Sequence, residues 1–317
     1  MIRATVAVCT RNRVDLLAGC LATVDTQLFE VDAVEVLVVD NGSTDGTPDL
    51  LRTWSSGGPL RRSVREPRVG LVHARNAALA TSEREVVIFL DDDALVPPTW
   101  AAAHLAGYLP GAGVGAIGGP VGLVWPAARP AWIVDALTPW YSALDLGDDA
   151  VPYPNEHGPY GTNMSVWRSA ALGVGGFDAR FGRRGRRLLS GEERDLSRRL
   201  VQAGWRLRYE PTAAVVQQVL PERVSRRWLL RRAWAQGISD ARFDLVQVAG
   251  TRRSRLTRAR AELTATTEQL DHQRPDRTMF TERLPNLTVA LAHAGAAGEF
   301  ARTAVAGAPR PDRRDRR

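Results

Sequence analysis

Residues 85–93 read EVVIFLDDD: one acid, the apolar run Val86–Leu90, then Asp91, Asp92 and Asp93 without a break. A short β-branched and aromatic run of this kind reads as a strand buried on both faces, the form strands take in parallel sheets. Three consecutive carboxylates repel one another and cost stability unless positive charge sits among them. Carboxylate oxygens at a strand end suit a hard divalent ion, Mg²⁺ or Mn²⁺, which in turn bridges phosphate oxygens. A solvated acidic turn capping the next helix is the competing reading, and these residues alone leave both open.

Outward toward the amino terminus, strand and helix signals alternate. Thr5–Cys9 is a β-rich run, and Arg13–Val24 carries apolar residues at helical spacing (Val14, Leu16, Leu17, Cys20, Leu21, Val24). Val34–Val39 is a second strand, followed by DNGSTDGTPDLL, a turn and helix start in which Ser43 or Thr44 is the expected cap and Pro48 suits the first turn. Leu60–Arg65 is a third strand, Val72–Ala80 a helix, and Glu85–Leu90 the fourth strand. Strands separated by such helices imply right-handed βαβ units and a parallel sheet. Ligands of such sheets bind beyond the carboxyl ends of the strands. That singles out Thr10–Arg13, Asp40–Asp45 and Asp91–Asp93.

Downstream the pattern breaks. Residues 107–160 are dense in Gly and Pro with Trp125, Trp132, Trp140 and Tyr141 among them, and read as loops and short strands forming a pocket wall. The helical pattern returns at Gly191–Ala203, a strand at Arg206–Tyr209 and a helix at Pro221–Gln236. The last seventy residues are Arg-rich and helix-prone, and the basic tail 308–317 is expected to be disordered. The run Gly111–Ala116 (GAGVGA) imitates a dinucleotide-binding loop, but no convincing strand precedes it and Pro120 follows where a helix should run.

Two further clusters carry chemistry. Gly191-Glu192-Glu193-Arg194-Asp195 opens a helix. Acids in a first turn stabilise the helix dipole, and one such carboxylate near a reacting centre can also act as a general base. Asp40 and Asn41 at a strand end can hydrogen-bond a base or ribose, or simply form an Asx turn.

Composition sets outer bounds. The chain has 317 residues with 42 basic and 35 acidic side chains, a net charge of +7, and every basic residue is Arg. A Lys Schiff base, a Lys general base and a Walker-type phosphate Lys are therefore excluded. Residues 1–150 carry 11 Arg against 18 acids and residues 151–317 carry 31 Arg against 17 acids. With 44% apolar and 24% charged residues the chain is of ordinary globular composition. Its longest apolar runs fall far short of the ~20 residues a spanning helix needs. Two cysteines, Cys9 and Cys20, both expected to be buried thiols, fit a reducing compartment. The expected location is cytoplasmic, with docking at the inner membrane face as a second option.

Taken in order, the segments VAVCTRNRVDLLAGCLATV, VEVLVVDNGSTDGT, VGLVHARNAALA, VVIFLDDDALVPP, GTNMSVWRSAALGVGGFD and LLSGEERDLSRRL resemble a family 2 glycosyltransferase of the GT-A fold, over roughly residues 4–240. The resemblance implies an α/β fold with a Rossmann-like, mostly parallel central sheet flanked by helices. It implies an inverting transferase that takes a hexosyl or deoxyhexosyl group from a nucleoside-diphosphate sugar. The expected organisation is a catalytic domain over 1–244 (nucleotide-binding half about 1–105, acceptor half about 106–244), a helical C-terminal extension over 245–307, and the tail.

The resemblance also implies roles. Thr10 and Arg11 match the first-strand loop beside the nucleoside, and Asp40 the acid that contacts base or ribose. Arg75 matches the Arg of the family's ARN segment, near the diphosphate. Asp91 and Asp93 match the outer, metal-binding positions of an Asp-x-Asp motif, with Asp92 between them in the donor site. Gly161, Thr162 and Asn163 match the loop beside donor sugar and acceptor, and Trp125 lies in the stretch expected to stack on the acceptor. Glu193 falls where the family has its catalytic base, with Glu192 its neighbour, and which of the two acts is open. Many relatives carry a His before the Pro-Glu-Arg segment. Here Gln217 or Gln218 stands there, which implies a weakly held Mn²⁺ or Mg²⁺, or takeover of part of the diphosphate charge by Arg223.

Arg183, Arg184, Arg186 and Arg187 flank a Gly before the base helix and are expected in a loop able to close over a diphosphate. Arg226, Arg227, Arg231 and Arg232 alternate with Trp228, Leu229, Leu230 and Trp234, an amphipathic pattern that suits packing on the catalytic domain or peripheral membrane contact. The expected partners are a nucleoside-diphosphate sugar and a small-molecule or lipid-linked acceptor, not nucleic acid. The oligomeric state, homodimer included, is left open. A nucleotidyltransferase and a catalytically degenerate binding protein of the same fold are the alternatives.

Overall fold

In a computed structural model of the chain the described residues are 2–26, 33–109, 111–153, 158–182, 188–247, 252–272 and 280–306. The chain divides into two compact units, Met1–Val224 and Ser225–Arg317.

The first unit begins with β1 (Ala4–Thr10), α1 (Val14–Asp25), β2 (Val34–Asp40), α2 (Thr47–Ser55), β3 (Arg61–Arg65), α3 (Leu71–Thr81) and β4 (Val86–Asp91). It continues with β5 (Ala94–Leu95), α4 (Trp100–Ala106), β6 (Val114–Gly118), β7 (Val121–Val124), β8 (Val151–Pro152), β9 (Asn163–Trp167), α5 (Arg168–Gly173), α6 (Glu192–Gln202), β10 (Arg206–Tyr209) and β11 (Val215–Gln218). Eight strands form one sheet in the order β3-β2-β1-β4-β9-β6-β10-β8, and β5-β11-β7 form a second. β1, β2, β3 and β4 pair in parallel, whereas β9 runs antiparallel between β4 and β6.

Strand alternation sorts the apolar residues into two layers. Val6, Val8, Val36, Val38, Ile88 and Leu90 pack with Leu17, Cys20, Leu21 and Val24 of α1 on one face. Ala7, Leu37, Val39, Val87 and Phe89 pack with Val72, Ala74, Ala78 and Leu79 of α3 on the other. Both faces are covered, which is why these strands read as continuous apolar runs rather than alternating ones. Each fully buried Val, Leu, Ile or Phe stabilises by about 1.5–3 kcal/mol. Cys9 and Cys20 are both buried and free.

The expected α/β architecture is present, and several local expectations are corrected. α2 begins at Thr47 behind Gly46 with no side-chain cap at that position. Ser43 and Thr44 do not serve, because the Asp45 carboxylate takes the Thr47 N–H at 3.1 Å while Ser43 and Thr44 bond to Asn12. The helix expected over 221–236 starts later: Pro221–Arg223 is a single 3₁₀ turn, and the helix runs from Arg226. β9 escaped the sequence reading because its polar residues Asn163 and Ser165 break the apolar pattern, although both are buried.

The second unit comprises α7 (Arg226–Gln247), α8 (Arg252–His272) and α9 (Phe280–Ala306). Ala241, Ala259 and Phe300 form its core, and Glu299 accepts hydrogen bonds from Arg242 and Arg302. The division falls earlier than the boundary expected after residue 244, since α7 is one unbroken helix that belongs to this unit throughout. The tail 308–317 and the arginines 183–187 lie outside the described residues.

Candidate active site

Register places the acidic residues on one edge. Thr10 lies beside Asp40, and Cys9 beside Asp91, at the carboxyl ends of β1, β2 and β4. The Thr10 hydroxyl donates to Asp92 Oδ2 at 2.8 Å. Arg13, just past β1, donates to Asp92 Oδ1 at 2.7 Å and to Asp93 Oδ2 at 3.2 Å. Arg223 donates to the same Asp93 oxygen at 3.3 Å. The positive charge that the acidic triplet requires is therefore supplied by three arginines, Arg13 and Arg223 here and Arg75 at Asp91. Arg13 was not assigned this role from the sequence; its only signal there was its place in the loop after β1. Burial pushes the Asp92 carboxyl up to about 6, against the pull of Arg13.

The expected nucleoside residues sit at this edge in different states. Asp40 is buried and accepts the Ser43 N–H at 2.8 Å, so it closes the turn after β2. Asn41 donates to the carbonyls of Glu66 and Arg68 and accepts from Gly70 N, which fixes the entry to α3. Arg11 is exposed.

The base segment is set by a glycine. Gly191 has φ of +114°, a conformation disfavoured for residues with a Cβ, and it turns the chain so that Glu192 enters the first turn of α6 buried. α6 is in turn anchored by Arg199, which pairs with Asp195 at 2.6 Å and donates to the Gly176 carbonyl. Arg75 Nη1 donates to Glu192 Oε1 at 3.0 Å and lies 3.8 Å from Glu193 Oε2, while its Nη2 reaches Asp91 Oδ1 at 3.4 Å. One buried guanidinium thus joins the end of β4 to the start of α6. Burial, then the neighbouring Glu193 charge, raise the Glu192 carboxyl above the usual carboxylate range. Glu193 is partly exposed.

The loop before β9 divides. Gly161 packs against Arg75: a Cβ there would fall on the guanidinium. Thr162 is buried with its hydroxyl unpartnered. Asn163 is 1% exposed, and its amide is wholly used inward. It donates to the carbonyls of Pro120 and Ala213 and accepts from Trp100 Nε1. Both polar atoms of the Asn163 side chain are thus engaged within the protein, and they tie β9 to neighbouring segments. Trp125 packs edge-on against Tyr141 with ring centres 5.1 Å apart.

Among the described residues, no group of three or more His, Cys, Asp or Glu side chains is arranged to hold a metal ion. Two hard oxygen donors are nevertheless buried without a partner, Asp93 Oδ1 and Gln217 Oε1. They belong to neighbouring backbone: Gln218 N donates to the Asp93 carbonyl at 2.8 Å, and Gln217 pairs with Ala94 across β5 and β11. An oxygen-only donor pair fits a hard divalent cation, although Asp91 and the second Asp93 oxygen are engaged by arginine. Glu192 Oε2 and Glu193 Oε2 are also buried and accept no hydrogen bond, the latter facing Arg75 Nη1 at 3.8 Å.

The model of the family described as "Glycosyl transferase family 2" matches residues 5–171. The glucosyl-dolichyl phosphate glucuronosyltransferase of Haloferax volcanii is 25% identical over 248 residues, 77% of this chain and 78% of that protein. The pre-mycofactocin glycosyltransferase of Mycobacterium tuberculosis is 33% identical over 171 residues, 53% of this chain and 34% of that protein. Among solved structures, the mannosyltransferase PcManGT from Pyrobaculum calidifontis, in complex with GDP-Man and Mn²⁺, aligns at a TM-score of 0.55 and 23% identity, covering 97% of this chain and 76% of that one.

Proposed function

Since this chain belongs to glycosyl transferase family 2, we propose that it moves a hexosyl or deoxyhexosyl group from a nucleoside-diphosphate sugar to an acceptor nucleophile with inversion. It is a glycosyltransferase with a GT-A-type fold. The observation that carries the finer reading is the convergence of Asp91–Asp93 at the end of β4 with Glu192 and Glu193 at the start of α6, joined through Arg75.

Glu193 is the general base. It is the more exposed of the pair, and its Oε2 accepts no hydrogen bond within the protein. It takes the acceptor proton as the acceptor oxygen bonds to the anomeric carbon. The bond from that carbon to the diphosphate oxygen breaks in the same displacement, and the nucleoside diphosphate leaves with the electron pair. Attack opposite the leaving group inverts the centre. Thr10, Arg11 and Asp40 line the nucleoside end, and Thr162 offers its free hydroxyl to the sugar.

Asp93, with Asp91 and Gln217, would hold a divalent cation, which supplies Lewis-acid screening of the diphosphate charge. Arg13 and Arg223 share that neutralising role, since both already face Asp93. Binding of the cation is weak, because an amide oxygen replaces a stronger ligand. The acceptor is lipid-linked, by analogy with the dolichyl phosphate in the name of the Haloferax relative. The basic face of α7 would bring the enzyme to an anionic membrane surface, on the cytoplasmic side that two free thiols fit.

The test is incubation with UDP-, GDP- and dTDP-sugars, reading slow release of nucleoside diphosphate. Release with one donor supports the proposal. Pyrophosphate release from a nucleoside triphosphate and sugar phosphate would favour a nucleotidyltransferase, and no turnover with any donor a binding protein.

A further inference from the structure

The geometry points to Arg75 as the positioning residue of the Glu192–Glu193 pair rather than a ligand of the donor diphosphate. The inference rests on the reading of Glu193 as the base.

An arginine that binds phosphate offers the open edge of its planar fork to the ligand. Arg75 has no open edge to offer. Its side chain is 3% exposed, Nη1 faces Glu192 at 3.0 Å and Glu193 at 3.8 Å, and Nη2 faces Asp91 at 3.4 Å. One face of the guanidinium lies over the Phe177 ring at 5.6 Å. Another side is closed by Gly161, where even a methyl group would collide with it. A phosphate could reach this cation only by displacing a carboxylate from a buried site.

What the arrangement does instead is orient. Glu192 and Glu193 are consecutive in the first turn of α6, and side chains one residue apart on a helix diverge by about 100°. A single guanidinium within reach of both limits the rotamers each can take. It also ties them to Asp91, and so to the strand end where the donor binds. Gly161 is part of the same device: its lack of a side chain admits the guanidinium, which accounts for a glycine in the loop before β9 without any contact to substrate.

The two roles separate experimentally. Arg75→Gln, Arg75→Lys and Gly161→Ala are compared with the wild type for turnover of the accepted donor, and for UDP and GDP affinity by calorimetry. Gly161 lacks a positive φ, so alanine is tolerated by the backbone, and it displaces the guanidinium without removing charge. If Arg75→Gln fails to fold, the other two variants carry the test. Positioning predicts a kcat loss of about a hundredfold in Arg75→Gln, the scale of a misplaced general base, with partial retention in Arg75→Lys and a smaller loss in Gly161→Ala. Nucleoside-diphosphate Kd should stay within about threefold throughout. A Kd raised tenfold or more with kcat preserved, or a wild-type kcat in the variants that fold, overturns the inference. Glu193→Gln is the control: if it keeps wild-type kcat, the base assignment itself fails, a result distinct from any shown by the Arg75 variants.

Discussion

His104 Nε2 lies 3.0 Å from Asn163 Oδ1, and this contact fixes the protonation of a fully buried imidazole. Asn163 is oriented by two donations from its amide nitrogen, to the carbonyls of Pro120 and Ala213. Its oxygen can therefore only accept, so His104 Nε2 must carry the proton. His104 Nδ1 then accepts from Ser165 Oγ at 3.0 Å, and Ser165 in turn accepts from Tyr108. A second ring proton would require the Ser165 hydroxyl to turn its own proton away, toward the Ile117 carbonyl at 3.5 Å. The network spans α4, β9 and the chain after β6, and holds the loop that carries Gly161 and Thr162.

Acid should unfold the protein through this network. Burial lowers the His104 pKa from 6.5 to about 4, so the unfolded chain binds a proton that the folded one refuses between those values. The stabilisation is fully present above pH 6.5 and is lost as pH falls toward 4, amounting to about 3 kcal/mol. Urea unfolding of wild type and His104→Gln at pH 7 and pH 5 checks this. The wild type should lose more stability across the interval than the variant, and equal losses would refute it.

Glu193→Gln should lower kcat by about 10²–10⁴, the usual scale of a general base, while UDP or GDP affinity is kept. Glu192→Gln should cost far less. Its carboxyl is raised by burial, and a neutral amide of the same shape still accepts from Arg75. Initial rates of both variants with the accepted donor decide between them, and a larger loss in Glu192→Gln would reverse the assignment.

How much of this was legible in the sequence follows from packing. The parallel half was readable because β1, β2 and β4 are buried on both faces and so are apolar throughout. β9 was not, since Asn163 and Ser165 are polar residues satisfied by partners 43 to 63 positions away. The acidic triplet stood out through its own chemistry, whereas Glu193 was singled out by the family resemblance, since acids in the first turn of a helix are ordinary. Arg75 was visible as a residue but not in its role, because a cation meant for phosphate and a cation enclosed by three carboxylates look alike until the fold brings Asp91 and Glu192 together. Arg13 and Arg223 belong to the same class: 210 positions separate them in sequence, and both bond one oxygen of Asp93.

Cation binding should respond to substitution in two directions. Asp93→Asn removes the carboxylate of the acidic triplet whose buried Oδ1 has no hydrogen-bond partner, and should weaken Mn²⁺ binding by at least about tenfold. Arg13→Ala frees both Asp92 and Asp93 of a competing charge and should tighten it. Calorimetric titration of Mn²⁺ with UDP or GDP present reads both effects, and EDTA should slow donor turnover. Activity indifferent to EDTA, with Mn²⁺ binding unmoved by either substitution, would exclude the cation.

The helical unit should bind anionic membranes through α7. Residues 225–317 carry 19 Arg and 10 acids, a balance of +9, whereas residues 1–224 carry 23 Arg and 25 acids, a balance of −2. The basic excess of the chain therefore lies wholly in this unit. On α7, Arg227, Arg231 and Trp234 are all exposed, Trp234 at 43%, and their i, i+4, i+7 spacing puts them on one face. Arginine beside an interfacial tryptophan suits a lipid headgroup layer, where each basic residue contributes about 1 kcal/mol. Removing two should weaken binding about thirtyfold. Among the described residues no helix is long and apolar enough to cross a membrane, so any such contact by these helices is peripheral. The full chain should co-sediment with phosphatidylglycerol-containing vesicles, not with phosphatidylcholine alone, and detach at high salt. Arg227→Ala with Arg231→Ala, and Trp234→Ala separately, should each reduce binding. Equal sedimentation with neutral vesicles would refute the proposal. So would duplex DNA binding as tight as vesicle binding, which would return the basic excess to a nucleic-acid role.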